Sequence, residues 1–308
     1  MIKNFIQKHI VKFITITLVI GLVFVYSIFQ SVETKSIGEN NKLVDFQYSN
    51  INIDVNLGLF NRAINEVDTH GFKIDGRVVG AILPHHDLAG DMIAEFLSIL
   101  ADHQLVERFI ILAPNHHDIA IEPAISTLEN WQTHLGQVET DQKNVEQLAI
   151  NGLIAYDPEN FQMEHSIKVL LPFIEYYFPQ AKVVPIIFTS QQTNQASFLL
   201  AENIFPLLDG KTVVINSLDL SHYLPLNQAE INDQLTLAAI NNKNYELINS
   251  LNSDYLDSPD SLNTMLKVME LSKASEMKII SHTNSANILN VDLDSTTSYI
   301  TSYFVVND

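Results

Sequence analysis

Leu112-Ala113-Pro114-Asn115-His116-His117-Asp118 ends the apolar run Phe109 to Leu112 with a proline, an amide, two imidazoles and a carboxylate. An uninterrupted apolar run of this kind reads as a parallel strand buried on both faces. In open α/β sheets the chemistry collects at the carboxyl ends of such strands. The same grammar recurs where Val78 to Leu83 runs into Pro84-His85-His86-Asp87, and where Thr212 to Ser217 runs into Leu218-Asp219-Leu220-Ser221-His222. A fourth cluster, Glu164-His165-Ser166, opens a segment with apolar residues at helical spacing, and His282 closes a later strand.

Outward from these stretches, strands and helices alternate. Strands are expected at 78–83, 108–113, 123–127, 182–188, 211–217, 276–282 and 297–306, and helices at 90–103, 141–150, 166–177, 195–208, 227–241 and 260–272. Such alternation predicts an α/β fold, a central, mostly parallel sheet flanked by helices on both faces. Parallel strands place their carboxyl ends side by side, so His85, His116 and His222 are expected to converge, with His165 facing the same space. Adjacent side chains at a strand end point in opposite directions, so His86 and His117 rank below their neighbours. Asp87, Asp118 and Asp219 read either as acceptors that fix imidazole tautomers or as helix N-caps. Glu164 and Ser166 have a dipole or capping reading of their own. Trp131 is expected at the surface or at the mouth of the cleft.

Composition narrows the function. With 46% hydrophobic residues in 308, the chain can bury a full core. Its formal charge of −19, from 36 acidic and 17 basic residues, makes nucleic acid an improbable partner. The absence of cysteine excludes disulfides, thiolate metal sites and cysteine nucleophiles. Imidazole, thioether and carboxylate are therefore the available ligands for a soft metal, and two imidazoles with one carboxylate leave open positions for substrate or oxygen. No G-x-S-x-G elbow, H-E-x-x-H pair or phosphate loop is present.

At the N-terminus, Phe13 to Phe29 is uncharged and almost wholly apolar, and Lys3, Lys8 and Lys12 precede it. It reads as a single-pass transmembrane anchor with the N-terminus cytoplasmic and the remainder extracytoplasmic. A cleaved signal peptide is the rival reading. The expected organisation is a stub and anchor at 1–30, a flexible tether at 31–50 and one α/β domain at 51–308.

Pro84-His85, Pro114-Asn115-His116-His117, Glu164-His165-Ser166-Ile167 with Leu171-Pro172, and Asp219-Leu220-Ser221-His222 together resemble the Memo family, called AmmeMemoRadiSam system protein B in bacteria. The resemblance spans about Arg77 to Val306. It implies the α/β fold of class III extradiol ring-cleaving dioxygenases, with a metal-type site at the strand ends. The family's metal-ligand positions fall on His85 and His116, and its other site histidines on His165 and His222, which take catalytic acid, base or donor roles. Where the family supplies a cysteine, this chain carries Asp257-Ser258-Pro259-Asp260-Ser261-Leu262. Asp257 is then the third ligand, with Asp219 or Asp87 as alternatives. A carboxylate in place of a thiolate favours harder divalent ions, so iron(II) is the expected cofactor, with zinc or copper as alternatives. The resulting expectation is a membrane-anchored oxidoreductase or dioxygenase-like enzyme acting on a small molecule or peptide in the cleft. The alternative is a binding or scaffold module that uses the same cleft without turnover.

Overall fold

The computed structural model describes residues 50–69, 71–117, 122–189, 193–274, 276–291 and 293–307. The segment Phe13 to Phe29, the tether as far as residue 49, and Asp118 lie outside these residues. Among the described residues no helix is long and apolar enough to cross a membrane. The expectation of a membrane-anchored, extracytoplasmic protein is corrected on that finding, and no membrane location is assigned.

The strands in chain order are β1 (Asn50–Asn52), β2 (Arg77–Leu83), β3 (Arg108–Pro114), β4 (Ala124–Ser126), β5 (Asn130–Gln132), β6 (Gln137–Val138), β7 (Ala155–Tyr156), β8 (Lys182–Phe188), β9 (Thr212–Ser217), β10 (Met277–Asn284) and β11 (Ser298–Val306). The main sheet runs β10-β11-β2-β9-β3-β8-β4-β7, and β1, β5 and β6 form a small separate sheet. Four adjacent strands, β2, β9, β3 and β8, are parallel. β10, β11 and β2 pair antiparallel, as do β4 and β8. The sheet is therefore mixed rather than mostly parallel. β10 and β11 follow one another in the chain and pair directly, from Met277 opposite Phe304 to Asn284 opposite Ser298, with the end of β10 beside the start of β11, which is the antiparallel arrangement.

The apolar runs form the middle of this sheet because both of its faces are covered. Along β3, Phe109, Ile111 and Ala113 join one buried cluster, while Ile110 and Leu112 join the other. The helices are α1 (Leu57–Asn65), α2 (Gly90–His103), α3 (Gln142–Ile150), α4 (Pro158–Met163), α5 (Leu171–Tyr177), α6 (Asn194–Ile204), α7 (Leu226–Asn241), α8 (Tyr245–Ser250), α9 (Pro259–Leu271) and α10 (Ser285–Leu289). Ile93 and Leu97 of α2 and Ile174 of α5 pack on the first face; Leu200 of α6 and Leu262, Met265 and Met269 of α9 pack on the second. Short polar residues start several helices: the side chains of Asn56, Asp141, Asp157 and Thr193 accept from the amides of Leu59, Asn144, Asn160 and Ala196. Gly80 in β2 lets α9 come close, since a Cβ there would sit 2.6 Å from the Met269 sulfur. Asp257, just before α9, lies at the carboxyl end of the sheet, where its amide donates to the Asp219 carbonyl at 3.3 Å.

Two local expectations change. The helix expected at 166–177 begins at Leu171, and Glu164 caps the C-terminal end of α4 instead of opening a helix. Pro172 explains the late start, because proline suits the first helical turn, where its missing amide leaves no bond unmade. Trp131 is fully buried rather than at a cleft mouth, with its indole N–H donating to Thr140 Oγ1 at 3.1 Å.

Candidate metal centre

Three strand ends and one loop deliver the site. His85 follows β2, His116 follows β3, Asp219 and His222 follow β9, and Glu164-His165 lies between α4 and α5. The loop pieces are bound to one another. Ser166 Oγ donates to the Pro114 carbonyl at 2.9 Å, which fastens the Glu164 segment to the end of β3. The Asp219 amide donates to Asp257 Oδ2 at 3.2 Å, and the Asp257 amide donates to the Asp219 carbonyl at 3.3 Å. Asp219 Oδ1 accepts from the His85 amide at 3.1 Å, so this carboxylate holds backbone rather than an imidazole tautomer.

Hydrogen bonding sets the ring nitrogens. Ser217 Oγ donates to the Ser166 carbonyl at 2.6 Å and therefore accepts from His85 Nδ1, 3.1 Å away. That leaves His85 Nε2 facing Asp257 Oδ2 at 3.1 Å, with Asp219 Oδ2 at 3.8 Å. Glu164 does the same for His116: Oε1 accepts from Nδ1 at 2.8 Å and Oε2 from the His116 amide at 2.6 Å. His116 Nε2 then lies 3.9 Å from Asp257 Oδ2. Glu164 also accepts from the amides of His165 and Ser166, each at 2.8 Å. The sequence offered Glu164 only as a complement to a helix dipole, whereas it is the carboxylate that orients an imidazole. Its signal is the neighbouring His165, since a buried acid beside a site histidine needs several donors to stay ionised.

One nitrogen from each of His85, His116 and His165 falls within 4.8 Å of the others, so this group could hold a metal ion. The ring centroids of His85 and His116 are 5.1 Å apart with the planes at 73°, while His116 and His165 stack at 4.4 Å and 25°. A cavity of about 360 Å³ is lined by these three together with Asp257, Asp219 and His222. His222 Nδ1 and Asp257 Oδ1 are buried with no hydrogen-bond partner. Tyr223, next to His222, holds a left-handed φ of 56°, a strained value for a bulky residue.

The electrostatics fit a cation. Burial works against a charge on His85, but Asp219 and Asp257, and after them Glu164, raise its pKa to about 9. Burial would raise the pKa of Asp257, yet His85 outweighs it and holds the carboxylate ionised. The proton drawn between His85 Nε2 and Asp257 is the charge a bound divalent ion would replace, and the donor set of imidazole nitrogen and carboxylate oxygen suits such an ion. His165 differs. Burial, then His116 and His85, push it down to about 4, so its ring is neutral at pH 7. Glu164 lies well below the usual carboxylate range because its His116 hydrogen bond and charge overcome its burial.

The remaining residues singled out in the sequence lie at or outside the rim. His86 Nδ1 accepts from the Leu88 amide at 3.1 Å and so caps the 3-10 turn Asp87–Ala89, the role expected of Asp87. Asp87 is exposed and not among the residues lining the cavity at the imidazoles. His117 is exposed. His282 sits within β10 and pairs with Asp233 at 2.9 Å rather than with the imidazole cluster.

Comparison with known proteins agrees with this architecture. A MEMO1 family protein of Caldivirga maquilingensis is 34% identical over 175 residues, 55% of this chain and 62% of that protein. A second, from Pyrobaculum aerophilum, is 33% identical over 174 residues, 54% of this chain and 62% of that protein. In each case the match spans less than two thirds of the relative's length. The crystal structure of an uncharacterized protein, JW3007, from Escherichia coli K12 superposes with a TM-score of 0.52 at 12% identity, covering 75% of this chain and 100% of that one. At that identity the likeness concerns the fold alone. The family model described as Memo-like protein matches residues 61–303, the segment that supplies every imidazole of the cluster, and the chain belongs to that family.

Proposed function

We propose that this chain is a metal-dependent oxidoreductase of the Memo family in which His85, His116 and Asp257 hold a divalent ion and His165 and His222 serve the substrate. The observation that carries the reading is the approach of Asp257 Oδ2 to both Nε2 atoms, at 3.1 Å from His85 and 3.9 Å from His116. Ligand atoms around one ion, each about 2.0–2.2 Å from it, stand at comparable separations. His85 crosses His116 at 73° and His165 at 77°, so the ring planes admit either Asp257 or His165 as the third ligand, and the approach of Asp257 Oδ2 is what favours the carboxylate. An ion bound here, iron(II) by preference and zinc or copper otherwise, would supply Lewis-acid and, for iron or copper, electron-transfer chemistry to a small molecule in the cleft.

The chain's own groups do the rest. Glu164 keeps the Nδ1 proton of His116 in place, and Ser217 does so for His85. His165, neutral at pH 7, accepts a proton through the ring nitrogen that Glu164 does not engage. His222 lines the same cavity while its Nδ1 is buried without a hydrogen-bond partner.

Metal content of the purified chain, loaded anaerobically with iron(II), tests the ligand set. The expected result is one ion per chain, lost in His85→Ala, His116→Ala and Asp257→Ala and retained in His165→Ala. Retention in Asp257→Ala with loss in His165→Ala would replace the carboxylate by the third imidazole. Oxygen consumption by the loaded protein across a panel of small reductants separates an enzyme from a binding module.

A further inference from the structure

Two groups have no part in the site described above: His282 in β10, and Asp233 in the middle of α7, which is only 1% exposed. They pair with each other, His282 Nε2 lying 2.9 Å from Asp233 Oδ2. The second oxygen, Oδ1, accepts from Ser221 Oγ at 2.7 Å and from the Ser221 amide at 3.4 Å. A carboxylate this deeply buried persists only where donors surround it. Here the carboxylate comes from α7, and its donors come from β10 and from the loop after β9.

These residue types are those of a nucleophilic triad, but their order is different. In a triad the imidazole stands between hydroxyl and carboxylate and takes the hydroxyl proton. Here the carboxylate stands in the middle, so the hydroxyl proton is directed to it and not to an imidazole. The consequence is mechanical: Ser221 is fastened to α7.

Ser221 adjoins His222, whose buried Nδ1 has no hydrogen-bond partner. No bond at that nitrogen fixes the direction of the ring, so its orientation falls to the loop backbone. The loop is held on both sides of His222. Asp233 grips Ser221 before it, and after it Leu224 exchanges backbone hydrogen bonds with Thr296 at 3.3 and 2.8 Å. Between the two holds lies Tyr223 at φ 56°, a conformation that persists only where its surroundings impose it. Backbone bonds from the Ser298 amide to the Ser221 carbonyl and from the His222 amide to the Ser253 carbonyl complete the frame. Asp233 adds the hold on the side chain and amide of Ser221.

We propose that Asp233 is a positioning residue: through Ser221 it sets the direction of the His222 imidazole, and His282 keeps the Asp233 carboxylate turned toward Ser221. That this placement serves catalysis rests on the function proposed above, in which His222 serves the substrate. The placement itself does not require metal.

The test uses the purified full chain in chelator, with isotopically labelled histidine rings observed by NMR. Loss of signals in His222→Gln assigns the His222 ring. Asp233→Asn and Ser221→Ala should each shift those signals. The signals of His103, bonded to the Gly76 carbonyl at 2.7 Å beside the opposite end of β2, should stay unchanged. The double variant should show no more than the larger single shift, since both substitutions break one link. His282→Gln, which keeps a donor near the Nε2 position, should leave His222 in place, whereas His282→Ala should shift it. A contribution to stability alone would lower the urea midpoint and leave the His222 signals where they are. Unmoved His222 signals in folded Asp233→Asn or Ser221→Ala, or the same response in His282→Gln and His282→Ala, would overturn the proposal. Ser221→Ala removes only a hydroxyl, so the test stands even if Asp233→Asn does not fold. Metal content is read separately on chelator-free samples of the unaltered chain, so a wrong ligand set and a wrong positioning role give different results.

Discussion

Asp257 Oδ2 lies 3.1 Å from His85 Nε2, although the two residues come from different ends of the matched segment. Both side chains are almost wholly buried, at 6% and 2% exposure. A buried carboxylate facing a buried imidazole is tenable only if a proton or a cation sits between them, because each charge alone would carry a large desolvation penalty.

From this pair follows a prediction on metal choice. Asp257→Cys should move the preference from iron(II) toward copper(I) and zinc, since thiolate is the softer ligand. Competition between iron(II) and zinc, read by mass spectrometry of the bound ion, checks it; an unchanged ratio would remove Asp257 from the ligand set.

Glu164 anchors four donors, three of them amides: His116, His165 and Ser166, with His116 Nδ1 as the fourth. Glu164→Gln keeps the shape but loses the charge and one acceptor, and should cost about 2–3 kcal/mol of unfolding free energy. Metal affinity should fall roughly 10–100-fold, as for other residues that orient a ligand imidazole. Urea unfolding and metal titration of the same variant report the two effects.

Away from the site, Arg108 Nε donates to Asp141 Oδ2 at 2.6 Å while the Asp141 side chain caps α3. Burial would raise the Asp141 pKa, but Arg108 and Asn144 outweigh it and lower it. A depressed carboxylate pKa contributes stability that is complete above the unfolded value, about 3.9, and is lost as pH falls through the folded value. Asp141→Asn should therefore destabilise the protein by about 1–3 kcal/mol at pH 7. The penalty should shrink below about pH 4. Unfolding curves for both proteins at pH 7 and pH 3 test the sign.

Gly80 gives α9 room against the sheet, with the Met269 and Met265 methyls 2.8 Å and 2.9 Å from where a Cβ would stand. Gly80→Val should cost about 1–3 kcal/mol through overpacking. It should also weaken metal binding, because α9 follows Asp257 in the chain. A variant with normal stability and normal metal content would show that the helix is free to give way.

The parallel centre of the sheet was legible in the runs Val78 to Leu83, Phe109 to Leu112 and Thr212 to Ser217, because strands buried on both faces leave no alternation to disguise them. The antiparallel edges were not. β10 mixes Lys278, Ser281, His282 and Thr283 with its apolar residues, and its direction is seen only in its pairing with β11. The small sheet that carries Trp131 escaped notice because strands of two or three residues have no readable period.

The family, the strand-end histidines and the absence of any thiolate ligand were determined by the sequence alone, since they depend on residue identity and order. What only the tertiary structure decided is the partnership among those residues. Glu164 grips His116 from a loop 48 positions away, and Asp257 meets His85 where its amide and its carboxylate are both bonded to the Asp219 backbone. Hydrogen bonds act over about 3 Å, and sequence separation carries no information about which distant groups the packing of a sheet and its helices will bring within that range.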